Sequence, residues 1–292
     1  MISDEGLAAA LTEHWGLRHA RVEPHHGGMN SATWFVEAGG TRWVAKAVAP
    51  QNGHNFTPGL AVAAKLDKAG IASGAPRPTV DGSLTVAVDG VPLALLAWVP
   101  GEPLTSALSE QRIWGSTLGK VHSALRDLEV EGTERFHWVD RDAAHLDLRP
   151  WVREAVSGAV AAFEALDPET LRYGYLHADP APEAFRFDRE TGECGLIDWP
   201  TALHGPLLYD LASAVMYAGG PGRADRLIDA YAAQGVLLPF EIQRGLEPML
   251  RFRWGVQADY FARRIATGDL TGIADAAENE KGLEDARKAL GA

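Results

Sequence analysis

Four residues, Pro100-Gly101-Glu102-Pro103, divide this chain into two kinds of sequence. Two prolines that lack an N–H, set around a glycine, continue neither a helix nor a central strand. Upstream the chain reads as short strands. Thr33–Glu37 and Trp43–Val48 flank Gly39-Gly40, and Val80–Val88 and Val91–Val99 flank Asp89-Gly90; both turns are hairpin signals. Ala20–Val22 is a further strand-like run. Leu7, Leu11 and Trp15 predict an opening helix with Ser3 as its cap, and Leu60–Lys68 predicts a short Ala-rich helix ended by Gly70.

Downstream the pattern is helical. Trp114, Leu118, Val121 and Leu125 mark one apolar stripe. Val152, Val156, Val160 and Phe163 mark a second, with Pro150 at its start, and Leu250, Trp254, Phe261 and Ile265 a third. One island interrupts the helices: Tyr173–Leu176, Phe185–Asp188 and Cys194–Trp199 are strand-like, joined by a loop holding Pro180 and Pro182 and by a turn at Gly192. A small strand-rich part followed by a larger helical one predicts an α+β chain, with a first domain over 1–99 and a second over 100–292.

Charge and cysteine content narrow the function. The chain has 292 residues, 27 Lys and Arg against 39 Asp and Glu, and a net charge of −12. That balance argues against a nucleic-acid partner, which needs a basic face. It fits an acidic solvated surface, or an acidic pocket for a cationic substrate. The one cysteine, Cys194, permits no intramolecular disulfide and no thiolate metal cluster. There is no signal-peptide pattern and no 18-residue apolar run, so a soluble cytoplasmic protein without a membrane partner is expected. No Gly-x-x-x-x-Gly-Lys loop is present. No Gly-x-Ser-x-Gly elbow supplies a nucleophile that would turn His177 and Asp198 into a hydrolase triad.

The chemistry concentrates in the island, in His177-Ala178-Asp179 and Ile197-Asp198-Trp199. Each aspartate ends an apolar strand-like run, where an unpaired carboxylate faces solvent or a cleft rather than a core. One such carboxylate can accept a proton from a hydroxyl while the other holds a divalent cation.

These segments resemble the aminoglycoside phosphotransferase family, which has the protein-kinase-like fold. The family's catalytic segment reads His-Gly-Asp, four variable residues, then Asn, and its metal segment is Ile-Asp-Trp or similar. Gly205-Pro206-Leu207-Leu208-Tyr209-Asp210-Leu211-Ala212 is similar to its Asp-Pro-x-x-Tyr-Asp-Leu-Ala stretch. The resemblance runs from about Gly27 to Arg264. It implies a bilobal fold, with a small antiparallel-sheet N-lobe that binds nucleotide and a larger helical C-lobe that carries catalysis and acceptor binding.

The roles implied by the resemblance fall on named positions. Asp179 is the catalytic base, and Asp198 holds Mg²⁺. Lys46 fixes the phosphates of ATP or GTP. Gly28, Asn30 and Ser31 belong to the loop over the nucleotide, and Trp98 and Val99 to the hinge that meets its base. His177 and Asp210 support the catalytic loop, Asp210 as a helix cap. Gln257, Tyr260 and Arg264, on the late helix, face the acceptor. That acceptor is a small hydroxylated molecule, an antibiotic by preference, with a nucleoside antibiotic such as capuramycin ahead of an aminoglycoside. A choline-, homoserine- or sugar-type metabolite is the alternative, as is a nucleotide-binding pseudokinase without turnover.

Three positions depart from the family pattern. The metal-ligating Asn is Ala184 here, and the adjacent Glu183 either substitutes for it or faces solvent. The motif glycine is Ala178. The helix after Lys46 lacks the expected Glu, which would fall near Gly59 or Leu60, so either Lys46 finds another acid or that lobe is arranged differently.

Overall fold

The computed structural model describes residues 2–25, 31–50 and 53–292. The chain forms two compact units. The first collects Met1–Leu104, Ala124–Glu134 and Glu183–Leu203; the second collects Thr105–Ser123, Arg135–Pro182 and His204–Ala292.

The first unit is built on an antiparallel sheet of β1 (Arg21–His25), β2 (Ser31–Ala38), β3 (Thr41–Val48), β4 (Val86–Val88) and β5 (Val91–Ala97), in the order β1-β2-β3-β5-β4. Ala38 pairs with Thr41 across Gly39 (φ 58°) and Gly40 (φ 77°). Two left-handed residues in a two-residue loop match the strand twist, and glycine adopts them without a Cβ clash. The expected strand from Val80 is shorter than predicted and starts only at Val86. Thr79 and Ser83 close a turn instead, with the Thr79 N–H on the Ser83 carbonyl at 2.9 Å and the Asp81 carboxylate accepting the Ser83 N–H at 3.2 Å. These short polar side chains offer the backbone a local alternative to pairing.

Alternation along β3 separates two cores. Ala45 and Ala47 join Leu7, Leu11 and Trp15 of α1 (Asp4–Trp15), together with Val36, Leu93 and Leu95. As the sequence predicts, Ser3 caps α1, its Oγ accepting the Gly6 N–H at 3.1 Å. Val48 instead packs with Ala94 and with Phe56 and Leu60 of α2 (Gly53–Lys68). Lys46 has the parity of Val48, so it belongs to the α2 side of the sheet. A second small sheet in this unit places Phe185–Phe187 between Glu102–Pro103 and Cys194–Leu196.

The second unit holds α3 (Gln111–Ala124), α4 (Val152–Glu164), α5 (Leu208–Tyr217), α6 (Asp225–Ala232), α7 (Pro239–Thr267) and α8 (Ala276–Leu290). The apolar stripes predict α3, α4 and α7; nothing in the sequence reading anticipates α8. The long α7 is the spine and packs against α4, α5 and α8. At its middle, Phe252 lies 4.9 Å from Phe163 and 5.3 Å from Phe136 between ring centroids. The strand Tyr173–Leu176 neighbours Leu203–Pro206 and leads into His177-Ala178-Asp179. No helix among the described residues is long and apolar enough to cross a membrane.

Candidate active site

In the first unit, β3 delivers Lys46 to Asp198. Lys46 is buried, and its Nζ lies 2.5 Å from Asp198 Oδ1. A buried ammonium needs such a counter-ion, because its desolvation is otherwise uncompensated. Asp198 itself is exposed, with a left-handed backbone (φ 74°) just beyond the Cys194–Leu196 strand. Backbone bonds hold that segment: the Leu196 N–H to the Ala72 carbonyl and the Ile197 N–H to the Ala184 carbonyl, both at 2.9 Å. Trp199 anchors it, fully buried, its indole N–H on the Leu196 carbonyl at 2.8 Å.

This arrangement accounts for the missing glutamate. A Cβ built on Gly59 of α2 would stand 2.1 Å from the Trp199 carbonyl oxygen. The helix therefore lies against the Asp198 segment where a side chain would have to fit, and the acid that Lys46 finds is Asp198.

Other expected nucleotide contacts are placed as follows. Gly28 and Asn30 lie outside the described residues. Ser31 opens β2, paired with Val48. Trp98 follows β5, with the Arg42 guanidinium 5.6 Å above its ring and Phe35 against it edge-on at 5.4 Å. Val99 is buried. Glu183 is exposed on the short turn Pro182–Ala184. Buried Ala184 offers no side-chain donor, and among the described residues no group of three or more His, Cys, Asp or Glu side chains could enclose a metal ion. Asp198 supplies the hard carboxylate oxygen that suits Mg²⁺.

In the second unit, Asp210 braces the His177-Ala178-Asp179 segment. It is fully buried, and it accepts the N–H of His177 on Oδ2 at 2.7 Å and the N–H of Ala178 on Oδ1 at 2.9 Å. The structure moves the expected cap: α5 is capped at Leu207, with no side-chain bond, while Asp210 in the first turn spends its carboxylate on the loop. His122 completes the network, with Nε2 3.1 Å from Asp210 Oδ2 and Nδ1 2.7 Å from the Tyr231 hydroxyl. Burial pushes the Tyr231 phenol well up, so it stays protonated. His177 is buried. Ala178 adopts φ 69°, a left-handed conformation that glycine takes at no steric cost and alanine does not.

The loop thereby projects Asp179, whose side chain is 51% exposed. Its Oδ1 accepts the Tyr217 hydroxyl at 2.5 Å and Arg253 Nη2 at 3.2 Å. Arg253 is buried, its Nε on Ser213 Oγ at 3.1 Å and its Nη2 also 3.3 Å from the Tyr217 oxygen. Burial alone would lower the guanidinium pKa; Tyr209, Tyr217 and Asp179 around it turn the shift upward, which makes it a permanent cation.

The expected acceptor residues are placed differently. Arg264 is 2% exposed and spends its donors on Asn279 Oδ1 (2.9 Å), the Thr271 carbonyl (2.7 Å) and the Tyr260 hydroxyl (3.3 Å). Gln257 donates to the Gly282 carbonyl of α8 at 3.2 Å. Both side chains dock α8 onto α7, a helix that the sequence reading lacked. The polar residues that gather at Asp179 are instead Tyr217 and Arg253. Arg253 had a signal, as an arginine between Phe252 and Trp254; Tyr217 ends the apolar last turn of α5. His122 had one too, as the polar residue on the apolar stripe of α3.

An antiparallel sheet with a buried strand lysine on an aspartate, and a helical unit that projects a braced aspartate from a strand end, together define a bilobal protein-kinase-like fold. The chain belongs to the phosphotransferase enzyme family, which it matches over residues 21–247. Among curated proteins it is similar to a homoserine kinase of Rhodopseudomonas palustris, 29% identical over 163 residues, covering 52% of this chain and 49% of that protein. This chain thus spans about half the length of that relative. Among solved structures it is similar in fold to an amicoumacin kinase in complex with AMP-PNP, Ca²⁺ and its ligand, at 15% identity and TM-score 0.75, covering 99% of this chain and 93% of that one. A microcompartment-associated aminopropanol kinase superimposes with TM-score 0.70 at 19% identity, covering 99% and 95%.

Proposed function

We propose that this chain is an O-phosphotransferase that uses ATP or GTP with Mg²⁺ to phosphorylate a hydroxyl of a small molecule. The observation that carries this reading is Asp179: a half-exposed carboxylate presented at a strand end, the backbone N–H groups of the two residues before it fixed to buried Asp210. In this role Asp179 takes the proton of the acceptor hydroxyl as its oxygen attacks phosphorus. Lys46 turns to the α- and β-phosphates, and the backbone of Trp98 and Val99 meets the base. Asp198 would hold Mg²⁺, which when bound neutralises charge on the β- and γ-phosphates. Residues 1–99 serve mainly the nucleotide, and residues 100–292 catalysis and the acceptor. Glu183, exposed one position before Ala184, is the candidate second metal ligand.

For the acceptor we favour a neutral or zwitterionic hydroxyl compound over a polycationic aminoglycoside. The permanent cation of Arg253 beside Asp179 supports this, since like charges repel. A nucleoside antibiotic and a homoserine-type metabolite both meet that condition, and the homoserine kinases among the relatives favour the second.

The test is a phosphoryl-transfer screen with ATP and with GTP, on wild type and Asp179→Asn. Its acceptors are homoserine, aminopropanol, choline, sugars, capuramycin and aminoglycosides. Asp179→Asn is expected to bind nucleotide normally and lose transfer by about 10²–10⁴-fold. Wild type that binds nucleotide and phosphorylates nothing would support a pseudokinase. Turnover confined to aminoglycosides would overturn the acceptor class.

A further inference from the structure

Asp179 carries two carboxylate oxygens in unequal surroundings. Oδ1 is engaged twice, by the Tyr217 hydroxyl at 2.5 Å and by Arg253 Nη2 at 3.2 Å. Oδ2 accepts no hydrogen bond from any described residue, on a side chain half open to solvent. The two donors also bond to each other, Arg253 Nη2 to the Tyr217 oxygen at 3.3 Å. Arg253 cannot swing away from this triangle without leaving Ser213, whose Oγ accepts its Nε and in turn donates to the Tyr209 carbonyl at 2.9 Å. The guanidinium also lies over the Tyr217 ring, 5.8 Å from its centroid. The anchor of the group is buried in α5 and α7, and its tip is the exposed carboxylate. A carboxylate free to rotate about its last bond presents either oxygen; one held by two donors on the same oxygen does not.

We propose that Arg253 and Tyr217 are positioning residues that lock the Asp179 carboxylate through Oδ1, so that Oδ2 is the oxygen that receives the acceptor's proton. This rests on the phosphotransferase reading above. In the step, the acceptor O–H bond breaks and its proton passes to Oδ2. The acceptor oxygen forms a bond to the γ-phosphorus, and the bond from that phosphorus to the β,γ-bridging oxygen breaks, releasing the nucleoside diphosphate. Neither positioning residue gains or loses a proton. Each acts by holding one orientation of the base, which is an advantage realised in the transition state rather than in acceptor binding.

The experiment has two arms, on the full chain as Tyr217→Phe, Arg253→Lys and Arg253→Met. The first is crystallographic. Wild type is expected to show one orientation of the Asp179 carboxylate; Tyr217→Phe and Arg253→Met are expected to show two or a rotated one, and Arg253→Lys to stay closer to wild type. A single unchanged orientation in both Tyr217→Phe and Arg253→Met would overturn the proposal, whether or not an acceptor has been found. The second arm is kinetic, on the best acceptor from the screen. Tyr217→Phe is expected to lower kcat by ten-fold or more with KM nearly unchanged, and Arg253→Lys to recover part of what Arg253→Met loses. Loss confined to KM would assign both residues to acceptor binding and overturn the positioning role. Because Arg253 is buried and its methionine variant can unfold, Tyr217→Phe, which keeps the aromatic body, decides the kinetic arm alone. If wild type transfers no phosphate, the phosphotransferase reading fails and the assignment of Oδ2 as base falls with it, while the crystallographic arm still reports on the lock.

Discussion

His122 illustrates how a single polar residue on an apolar face organises the chemistry around it. Asp210 is a wholly buried carboxylate, and its charge is met by two backbone N–H groups and by the His122 ring. Replacing His122 with Leu removes one of these partners from a charged acceptor and leaves the Tyr231 hydroxyl unmatched. We expect a loss of about 1.5–3 kcal/mol in denaturant unfolding, together with weaker transfer and unchanged nucleotide binding. An unaltered midpoint would show that the network is not held by this ring. A second histidine ties stability to pH. Burial lowers the pKa of His137 below its ordinary 6.5, against an upward pull from Glu164 and with a downward push from Arg141. The unfolded chain therefore binds the proton more readily. The stability due to a neutral His137 is complete above about pH 6.5 and is lost as pH falls through its lower folded value. Melting temperatures at about pH 7.5 and about pH 5.5 should fall further in wild type than in His137→Gln; equal falls would place the titration elsewhere. At this scale the sequence was informative about charge and spacing. Asp179, Asp198 and Lys46 stand out because a carboxylate at a strand end and a lysine in an apolar strand both conflict with their surroundings. Arg253 stands out only as a charge between two aromatics and Tyr217 hardly at all, and only the packing of α5 on α7 brings them to Asp179.

Among the elements, α2 carries the tightest constraint. Its Gly59 faces the Trp199 carbonyl at a distance that excludes a methyl group. Gly59→Ala must push α2 from the segment that holds Asp198, at a cost of about 1–3 kcal/mol. The expected signature is weakened nucleotide binding by calorimetry with an unchanged acceptor KM; unchanged nucleotide affinity would mean that the segment tolerates the shift. Element prediction succeeded where turn chemistry and apolar period agreed, as at Gly39-Gly40 and along α3, α4 and α7. It failed at Val80, where Thr79, Asp81 and Ser83 satisfy the backbone locally. It also missed α8, whose buried face includes Asn279 and Gly282 beside Leu283 and Ala286 and so looks weakly apolar in sequence. Without that helix, Gln257 and Arg264 look like a free polar face, whereas both bond to α8 residues. Arg264→Met should accelerate amide exchange across α8 more than across α7; equal protection in both helices would show that Arg264 does not hold α8.

For the molecule as a whole, the break at Pro100 is real as a change of composition, yet the first compact unit is not one continuous stretch. It takes back Ala124–Glu134 and Glu183–Leu203, and with them Asp198 and the Trp199 anchor. A fragment of residues 1–104 therefore lacks the counter-ion of its own buried lysine and the wall against which Gly59 packs. Such a fragment should show no cooperative unfolding transition and no nucleotide binding; a stable, nucleotide-binding fragment would overturn this. Long-range return of the chain leaves no local mark in sequence, which is why a composition shift reveals nothing of this interleaving.

The contact between Lys46 and Asp198 has a thermodynamic consequence for the roles proposed for them. Each is the other's counter-ion, and loading requires the lysine to turn to phosphate as the carboxylate turns to a cation. A nucleotide arriving without a divalent ion draws the lysine off the carboxylate, and an ion arriving without nucleotide strands a buried ammonium. The two ligands are thus obliged to cooperate, each raising the affinity of the other by the same factor. Calorimetric titrations of nucleotide with and without Mg²⁺, and of Mg²⁺ with and without nucleotide, would measure that factor from both sides of the cycle. Lys46→Met should abolish most of it, because the exchange of partners that couples the two would no longer exist.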